Sequence, residues 1–342
     1  MIREHRPVTV NLLTGFLGSG KTSLLKRLLR EPDLRDTAVL INEFGEVGLD
    51  HLLIEAVDQD IVLLKSGCVC CTIRGDLRDG LDRLFGRMLR REVPRFSRVV
   101  IETTGLADPA PIVASFSSDP ALRYHFRLGN IVTVVDTVNG LGNLEHHAEA
   151  VKQAALADRL VVSKTDLAAP AEVAALCRRL RALNPTAALH LSSEDEPAPP
   201  SLLLQDLHDP ARKAEEARRW LLSLEHGHGH EHGHHHDHRN GGIGTFCLTT
   251  EEPVDWAAFG LWLSMLLNRH GGAILRLKGL LQVQGVDRPV VIQGVQHLVH
   301  KPLHLDAWPD GRPLTRLVLI GSGLDPAAIE RSFRAFCGLA RS

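Results

Sequence analysis

The sequence predicts a doubly wound, mostly parallel α/β sheet with a smaller C-terminal α+β domain. Over residues 1–193, short runs rich in β-branched side chains alternate with segments of helical periodicity. Strands that are almost wholly apolar and separated by helices are typical of a parallel sheet covered on both faces. From residue 244 onward strands predominate, with one helix inserted among them and one at the end, which is typical of an α+β domain.

The expected elements of the first part follow the apolar runs and the helical periodicity between them. Strands are expected at Val8–Leu13, Thr37–Ile41, Ile61–Leu64, Arg98–Glu102, Ile131–Asp136, Arg159–Ser163 and Ala187–Leu191. Helices are expected at Lys21–Arg30, Asp76–Arg91, Pro109–Ser117, Leu144–Leu156 and Ala171–Leu183. Right-handed crossovers then place the loops that follow the strands at one edge of the sheet.

Changes of composition divide the chain into a domain of residues 1–193, a linker of residues 194–242 and a C-terminal domain of residues 243–342. The linker contains the acidic, proline-rich Glu194–Pro200, a helical stretch over Pro210–Leu224 and the tract His226–His238, with eight His, three Gly, one Glu and one Asp. Such a tract is typical of a flexible linker. The C-terminal domain is expected to hold a strand at Thr245–Thr249, a helix at Trp256–Asn268, three or four strands across Ile274–Leu305, a strand at Arg316–Ile320 and a helix at Pro326–Phe336.

Composition excludes several classes of protein. The 342 residues are enough for two cores, and 39 basic against 41 acidic residues give a net charge of −2, which provides no electrostatic basis for nucleic-acid binding. No apolar run approaches the roughly 20 residues needed to span a membrane. Met1–Pro7 is charged and leads directly into a strand, so we expect no signal peptide. A cytoplasmic protein is the simplest interpretation.

The six cysteines fit a reducing compartment. Cys177, Cys247 and Cys337 are scattered in apolar or helical settings, and we expect them to be small core residues. The others form the cluster Cys68-Val69-Cys70-Cys71, whose members are poorly placed to bridge one another. Clustered thiols in a reducing compartment are more often metal ligands or redox groups.

A phosphate-binding loop is predicted at Gly15–Thr22, which matches G-x-x-x-x-G-K-[ST] between an apolar strand and a helix. Its glycines let backbone N–H groups and the helix N-terminus face phosphate oxygens. Lys21 would reach the β- and γ-phosphates, and the Thr22 hydroxyl would bind Mg²⁺. The residues expected to bind the nucleotide here are Gly15, Gly18, Ser19, Gly20, Lys21, Thr22 and Ser23.

A further loop, after the fourth expected strand, fits the same nucleotide site. Glu102-Thr103-Thr104-Gly105 ends a strand, which places a carboxylate near Mg²⁺ and a glycine near the γ-phosphate. With Leu106 where a catalytic glutamine could stand, hydrolysis is expected to be slow.

The segment Ser163-Lys164-Thr165-Asp166 ends a later strand and is expected to read the base. Asp166 can accept two hydrogen bonds from guanine, Lys164 would lie over the ring, and Ser192 suits a backbone contact to the guanine carbonyl. These features favour GTP over ATP. Ser163 stands where Asn is usual, so a weaker loop-bracing hydrogen bond is expected.

The thiols of Cys68, Cys70 and Cys71 are soft ligands that favour Zn²⁺ or Cu⁺ over Mg²⁺. Their spacing is not that of a closed zinc finger, and Glu43 is a candidate further ligand, although it could equally serve Mg²⁺. The alternative is a buried thiol cluster or a redox site. The tract 226–238 could hold several metal ions weakly, or it is only a solvated linker.

Together these segments resemble the CobW-type GTPases, a P-loop subgroup related to the nickel-insertion GTPases of hydrogenase and urease maturation. The matching residues are Gly15–Thr22, Asn42–Gly45 with Gly48, Gly67–Cys71, Glu102–Gly105 and Ser163–Asp166, followed by the His-rich linker and the C-terminal domain. The resemblance implies a P-loop fold and a GTP-dependent metallochaperone that binds Zn²⁺, or Co²⁺ in some branches, at Cys68, Cys70 and Cys71. GTP would control delivery to a client metalloprotein, with Ser19, Gly20 and Lys21 contacting phosphate and Thr22 contacting Mg²⁺.

Two other functions compete with the chaperone. A metal-storage or metal-sensing protein would use the His tract as a buffer, with incidental GTP hydrolysis. A GTPase or kinase acting on a small molecule would leave the thiols structural, but the sequence offers no convincing base to activate an acceptor. The chaperone uses the phosphate-binding loop, the thiols and the His tract together, and it is the preferred hypothesis.

Overall fold

A seven-stranded sheet organises the first part of the chain in a computed structural model that describes residues 7–41, 63–65, 73–194, 196–204, 217–218, 220–221 and 242–338. Its strands are β1 (Val8–Thr14), β2 (Thr37–Ile41), β3 (Leu63–Lys65), β4 (Arg98–Glu102), β5 (Phe126–Asp136), β6 (Arg159–Ser163) and β7 (Ala188–Leu191). They lie in the order β3-β2-β4-β1-β5-β6-β7. The pairs from β3 through to β6 are parallel, so their carboxyl ends lie at one edge of the sheet.

Helices connect these strands. They are α1 (Lys21–Leu29), α2 (Ile73–Leu89), α3 (Ala110–Ser118), α4 (Pro120–His125), α5 (Gly140–His146), α6 (Ala148–Leu156), α7 (Pro170–Leu183) and α8 (Ser201–Leu204). The predicted doubly wound α/β fold is confirmed, and β2, β4 and β6 have the predicted limits. Among the described residues, none of the helices has the length and hydropathy that a membrane span requires.

The α1 helix packs on the centre of the sheet. Leu24, Leu25 and Leu28 recur at helical spacing on one face, and they share a buried cluster with Leu13 of β1 and Val100 of β4. Fully burying a leucine contributes about 1.5–3 kcal/mol. This packing fixes the helix directly behind the loop that joins it to β1.

The helix predicted at Leu144–Leu156 is wrong in one respect. The structure has two helices, α5 and α6, with His147 between them accepting a backbone hydrogen bond from Val151. Strand β5 also begins five residues earlier than the predicted Ile131. The short helix α4 was not predicted. The carboxylate of Asp119 caps its N-terminus by accepting from the amides of Ala121 and Leu122.

A six-stranded sheet forms the core of the C-terminal part of the chain. Its strands are β8 (Ile243–Thr250), β9 (Ile274–Leu281), β10 (Val290–Val295), β11 (Leu298–Val299), β12 (Leu303–His304) and β13 (Thr315–Ser322). Their pairs are antiparallel. The helices α9 (Trp256–His270) and α10 (Pro326–Phe336) share a buried cluster with the strands, in which Trp262 and Phe333 meet edge to face at 5.0 Å. The predicted α+β character is confirmed.

The described residues divide into two compact units. One contains residues 1–143, 157–176 and 189–206, and the other contains residues 144–156, 177–188 and 207–342. Within the second unit, buried basic side chains of β9 bind backbone carbonyls. Arg276 donates to Leu156 at 2.9 Å, and Lys278 donates to Thr186 at 3.2 Å. These hydrogen bonds satisfy polar groups that burial would otherwise leave at a cost.

Candidate functional site

The loop between β1 and α1 carries the predicted phosphate-binding residues. A side chain at Gly15 would overlap the carbonyl of Val134, so only glycine permits this close approach. Gly18 has a left-handed φ of +71°, and Gly20 directly precedes α1. The hydroxyl of Ser19 is buried and has no hydrogen-bond partner within the described part of the chain. A buried orphan hydroxyl in a glycine-rich loop at a helix N-terminus fits a site for phosphate.

Lys21, the first residue of α1, is buried and turns back onto this loop. Its ammonium donates to the carbonyls of Gly15 at 2.9 Å and Phe16 at 3.1 Å. Burial lowers the pKa of Lys21 from its ordinary value, and the negative charge of Glu102 partly opposes this by raising it. A phosphate group would add negative charge and favour the ammonium further.

Thr22 and Glu102 form the part of the site that fits Mg²⁺. The Thr22 hydroxyl donates to Oε1 of Glu102 at 2.6 Å, which joins α1 to the carboxyl end of β4. A hydroxyl and a carboxylate are the hard oxygen ligands that Mg²⁺ prefers. The predicted neighbours Thr22 and Glu102 are therefore brought together, and Glu102 is buried. Ser23, one residue further along α1, is exposed.

The loop after β4 lies against the phosphate-binding loop. A Cβ placed on Gly105 would come within 2.6 Å of the backbone nitrogen of Leu17, so the two backbones approach too closely for another residue. The hydroxyl of Thr103 donates to that of Thr14 at 2.8 Å and secures the same junction. Leu106, at the position considered for a catalytic glutamine, is exposed.

The loop after β6 is braced on the phosphate-binding loop. The Ser163 hydroxyl donates to the carbonyl of Ser19 at 2.7 Å, so the brace expected to be weaker with serine is formed. Lys164 donates from its ammonium to the carbonyl of Gly18 at 2.8 Å. Asp166 follows in a short 3-10 turn, with an exposed side chain that makes no hydrogen bond or ion pair to the described residues.

Asp136 and Thr137 support this loop, and the sequence analysis missed both. Lys164 has an unusual left-handed φ of 56°, and its carbonyl accepts from the Thr137 hydroxyl at 2.6 Å. Oδ1 of Asp136 lies 3.8 Å from the Lys164 ammonium. Their position in the sequence could have identified them. Both residues lie where β5 ends, at the edge of the sheet where the other site residues lie.

Ser192 follows β7, and its polar groups are already engaged. Its amide donates to Val162 at 2.8 Å, and its hydroxyl accepts from Arg27 at 2.8 Å. The amide of Ser192 is therefore not free to make the backbone contact expected from this residue. The amide of the next residue, Ser193, donates to none of the described residues.

The predicted metal ligands Cys68, Cys70, Cys71 and Glu43 lie outside the described residues, as does the tract 226–238. Among the described residues there is no cluster of metal-binding side chains. Of the remaining cysteines, Cys177 and Cys337 are core residues as expected, whereas Cys247 on β8 is only partly buried. Cys177 and Cys337 are buried, and burial raises the pKa of both the Cys247 and the Cys337 thiol to about 11.

Comparison with known proteins gives a consistent assignment over both parts of the chain. The family profile described as "CobW/HypB/UreG, nucleotide-binding domain" matches residues 9–190. The profile of the "Cobalamin synthesis protein cobW C-terminal domain" matches residues 243–337.

Curated proteins and solved structures are similar to the chain. "Zinc chaperone YjiA" of Escherichia coli is 31% identical over 327 residues, which are 96% of this chain and 98% of that protein. "Zinc-regulated GTPase metalloprotein activator 1" of Schizosaccharomyces pombe is 40% identical over 168 residues, 47% of this chain and 40% of that protein. The crystal structure of Zn(II)-bound YjiA GTPase from E. coli superposes with a TM-score of 0.71 at 26% identity, covering 98% of this chain and 100% of that one. The chain belongs to the CobW/HypB/UreG family.

Proposed function

We propose that the chain is a GTP-dependent metallochaperone that carries Zn²⁺ on Cys68, Cys70 and Cys71 and delivers it to a client metalloprotein. The observation that carries the nucleotide-binding part of this proposal is the convergence of three segments at one sheet edge. They are Lys21 and Thr22 after β1, Glu102 at the end of β4, and residues 163–166 at the end of β6 and beyond it. The names of the curated relatives, zinc chaperones and a zinc-regulated GTPase activator, support the metal half.

The chain's own groups account for slow GTP hydrolysis. Lys21 would neutralise charge on the β- and γ-phosphates, and Thr22 with Glu102 would hold Mg²⁺. Mg²⁺ would withdraw charge from the phosphate oxygens when bound. Since Leu106 is exposed and has no polar group to orient water, we infer that a partner or bound zinc completes the site.

The guanine-reading assignment rests on Asp166 and its supports. The exposed carboxylate of Asp166 is available for the two ring donors of guanine. Ser163 and Lys164 attach this loop to the phosphate-binding loop, so the distance between base and phosphate contacts is fixed. Co²⁺ is a secondary cargo in this proposal, and GTP with Mg²⁺ is the working nucleotide.

The position of the thiols in the sequence suits coupling to the nucleotide. Cys68 follows the end of β3 at Lys65 by three residues, and β3 is parallel to β2, so its carboxyl end faces the nucleotide edge. GTP can therefore act on both switch segments near Glu43 and Gly105 and change the geometry of the thiolates between them. Clustered thiols stay reduced in a reducing compartment, which supports the cytoplasm as the location in this proposal.

The test is the affinity for Zn²⁺, measured by competition with a chromophoric chelator in the presence of GDP or a non-hydrolysable GTP analogue. One tight Zn²⁺ per chain is expected, with an affinity that differs about tenfold between the two nucleotides, because typical allosteric couplings are 5–150-fold. Cys70→Ser should lose the tight site and keep GDP binding, whereas Cys177→Ala, in the core, should leave both intact. An unchanged Zn²⁺ affinity in Cys70→Ser would refute the assignment.

The storage or sensing function remains a second candidate because the tract 226–238 contains eight histidines. It predicts several weakly bound ions per chain, and it predicts that deletion of residues 226–238 removes most metal binding. The chaperone predicts that the deletion leaves the single tight site in place. The same chelator titration, applied to the deletion variant, separates the two functions.

A further inference from the structure

Arg27 attaches the P-loop helix to the loop that follows β7. Its guanidinium donates from Nη2 to the hydroxyl of Ser192 at 2.8 Å. Its Nη1 donates to the carbonyls of Ser193, of Glu194 at 3.3 Å and of Glu196 at 2.8 Å. The described residues 192–194 and 196 are here called the base loop. Within the described part of the chain, Arg27 supplies every hydrogen bond made by Ser193, Glu194 and Glu196.

The helix that bears Arg27 begins with the phosphate-binding residues. Lys21 and Thr22 form the first turn of α1, and Arg27 lies in its last turn. Leu24, Leu25 and Leu28 of the same helix are buried in the core, so the helix cannot shift without disturbing it. A single rigid element thus holds the phosphate contacts at one end and the base loop at the other.

The attachment of the base loop to Arg27 matters for the nucleotide through the amide of Ser193. The amide of Ser192 is engaged with Val162, whereas that of Ser193 is available beside the carbonyl that Arg27 binds. The Ser193 N–H shares a peptide plane with the Ser192 carbonyl, which accepts from the amide of Thr165 at 3.5 Å. Arg27 holds the next two peptide planes through the carbonyls of Ser193 and Glu194, and together these bonds limit how this N–H can turn.

We propose that Arg27 is a positioning residue for the nucleotide base: it holds the base loop so that the Ser193 amide meets the guanine carbonyl. This inference rests on the proposed GTP function and adds a residue to it. Arg27 does not touch the nucleotide. Its loss weakens binding of the base and leaves phosphate binding unchanged.

The experiment compares GDP with tripolyphosphate, which offers only the phosphate contacts, by calorimetry on the full chain with Mg²⁺. For Arg27→Ala we expect about tenfold weaker GDP binding, the size of one lost hydrogen bond, and unchanged tripolyphosphate binding. Arg27→Lys keeps a donor and should recover most of the GDP affinity. Arg30→Ala, one turn further on at an exposed position, is the matched control and should behave as wild type.

Equal weakening of both ligands would overturn the proposal, because it would show a general effect on the folded domain. Unchanged GDP binding in Arg27→Ala would also overturn it. If Arg27→Ala does not fold, Arg27→Gln is measured against the same two ligands and the same criteria apply. A wild-type protein that binds ADP as tightly as GDP would instead refute the guanine assignment, so the two failures are distinguishable.

Discussion

The hydroxyl of Ser163 donates a hydrogen bond of 2.7 Å to the backbone carbonyl of Ser19, which joins the loop after β6 to the phosphate-binding loop. Serine is shorter than the asparagine usual at this position, yet it reaches because Ser19 and Ser163 are both buried where the loops meet. The ammonium of Lys164 adds a second link to Gly18. The proposed contacts to phosphate and base are thereby held in one geometry.

Removing this brace should weaken nucleotide binding. In Ser163→Ala the carbonyl of Ser19 loses its buried donor, and we expect GDP to bind about tenfold more weakly. Ser118→Ala removes an exposed hydroxyl that bonds only to its own helix and is the control. Equilibrium titration with a fluorescent GDP analogue measures both. An affinity for Ser163→Ala equal to that of the control would show that the brace does not support the site.

Glu102→Gln should separate Mg²⁺ binding from nucleotide binding. The amide can still accept the hydrogen bond from Thr22, but the negative charge is lost. We expect GTP turnover to fall about 10²-fold, as for the loss of one preorganised electrostatic contact, and the Mg²⁺ concentration for half-maximal turnover to rise. Binding of GDP without Mg²⁺ should be unchanged. A wild-type Mg²⁺ dependence would remove Glu102 from the metal site.

Asp166→Asn should change the base that the protein prefers. Guanine offers two donors to a carboxylate, whereas xanthine offers one donor and one acceptor, which the amide of Asn matches. The variant is therefore expected to bind XDP more tightly than GDP, reversing the wild-type order by about tenfold for each mismatched hydrogen bond. Competition of both nucleotides against a labelled analogue measures the ratio. A general loss of affinity without reversal would contradict base reading by Asp166.

The pKa of the Lys21 ammonium should change when phosphate binds. Burial lowers the pKa of its ammonium from the ordinary value in the free protein, and phosphate charge should raise this pKa in the complex. Binding then takes up a proton between the free and bound pKa values, so GDP affinity falls as pH rises through that window. Lysine-selective ¹³C NMR, assigned with Lys21→Arg, measures both titrations. A Lys21 titration unmoved by GDP would exclude contact with phosphate.

The sequence predicted best where burial alone decides the structure. Strands β2, β4 and β6 are short, almost wholly buried apolar runs, and their limits were predicted correctly. The start of β5 was missed because Arg127, Gly129 and Asn130 interrupt the apolar pattern. Tertiary contacts compensate for this interrupted apolar pattern. The backbone amide of Asn130, for example, donates to the buried side chain of Asn11 at 2.8 Å.

The candidate site was predictable where a motif spans a few residues and was missed where partners are distant. Gly15–Thr22 and Glu102–Gly105 are local patterns with a known chemical reason. Arg27 was not found because its acceptors include the Ser192 hydroxyl and the carbonyl of Glu196, which lie 165 and 169 residues away in the sequence. Backbone carbonyls also carry no side-chain signal, so only the fold brings the two together.

Single-turnover GTP hydrolysis with and without Zn²⁺ measures the proposed coupling of the nucleotide to the metal. The metal-free full chain is measured with and without one equivalent of Zn²⁺, then with Co²⁺, and beside Cys70→Ser. One equivalent of Zn²⁺ is expected to raise the wild-type rate and to leave the rate of Cys70→Ser unchanged. A wild-type rate that does not change while Zn²⁺ is bound, or an equal rise in Cys70→Ser, would contradict it.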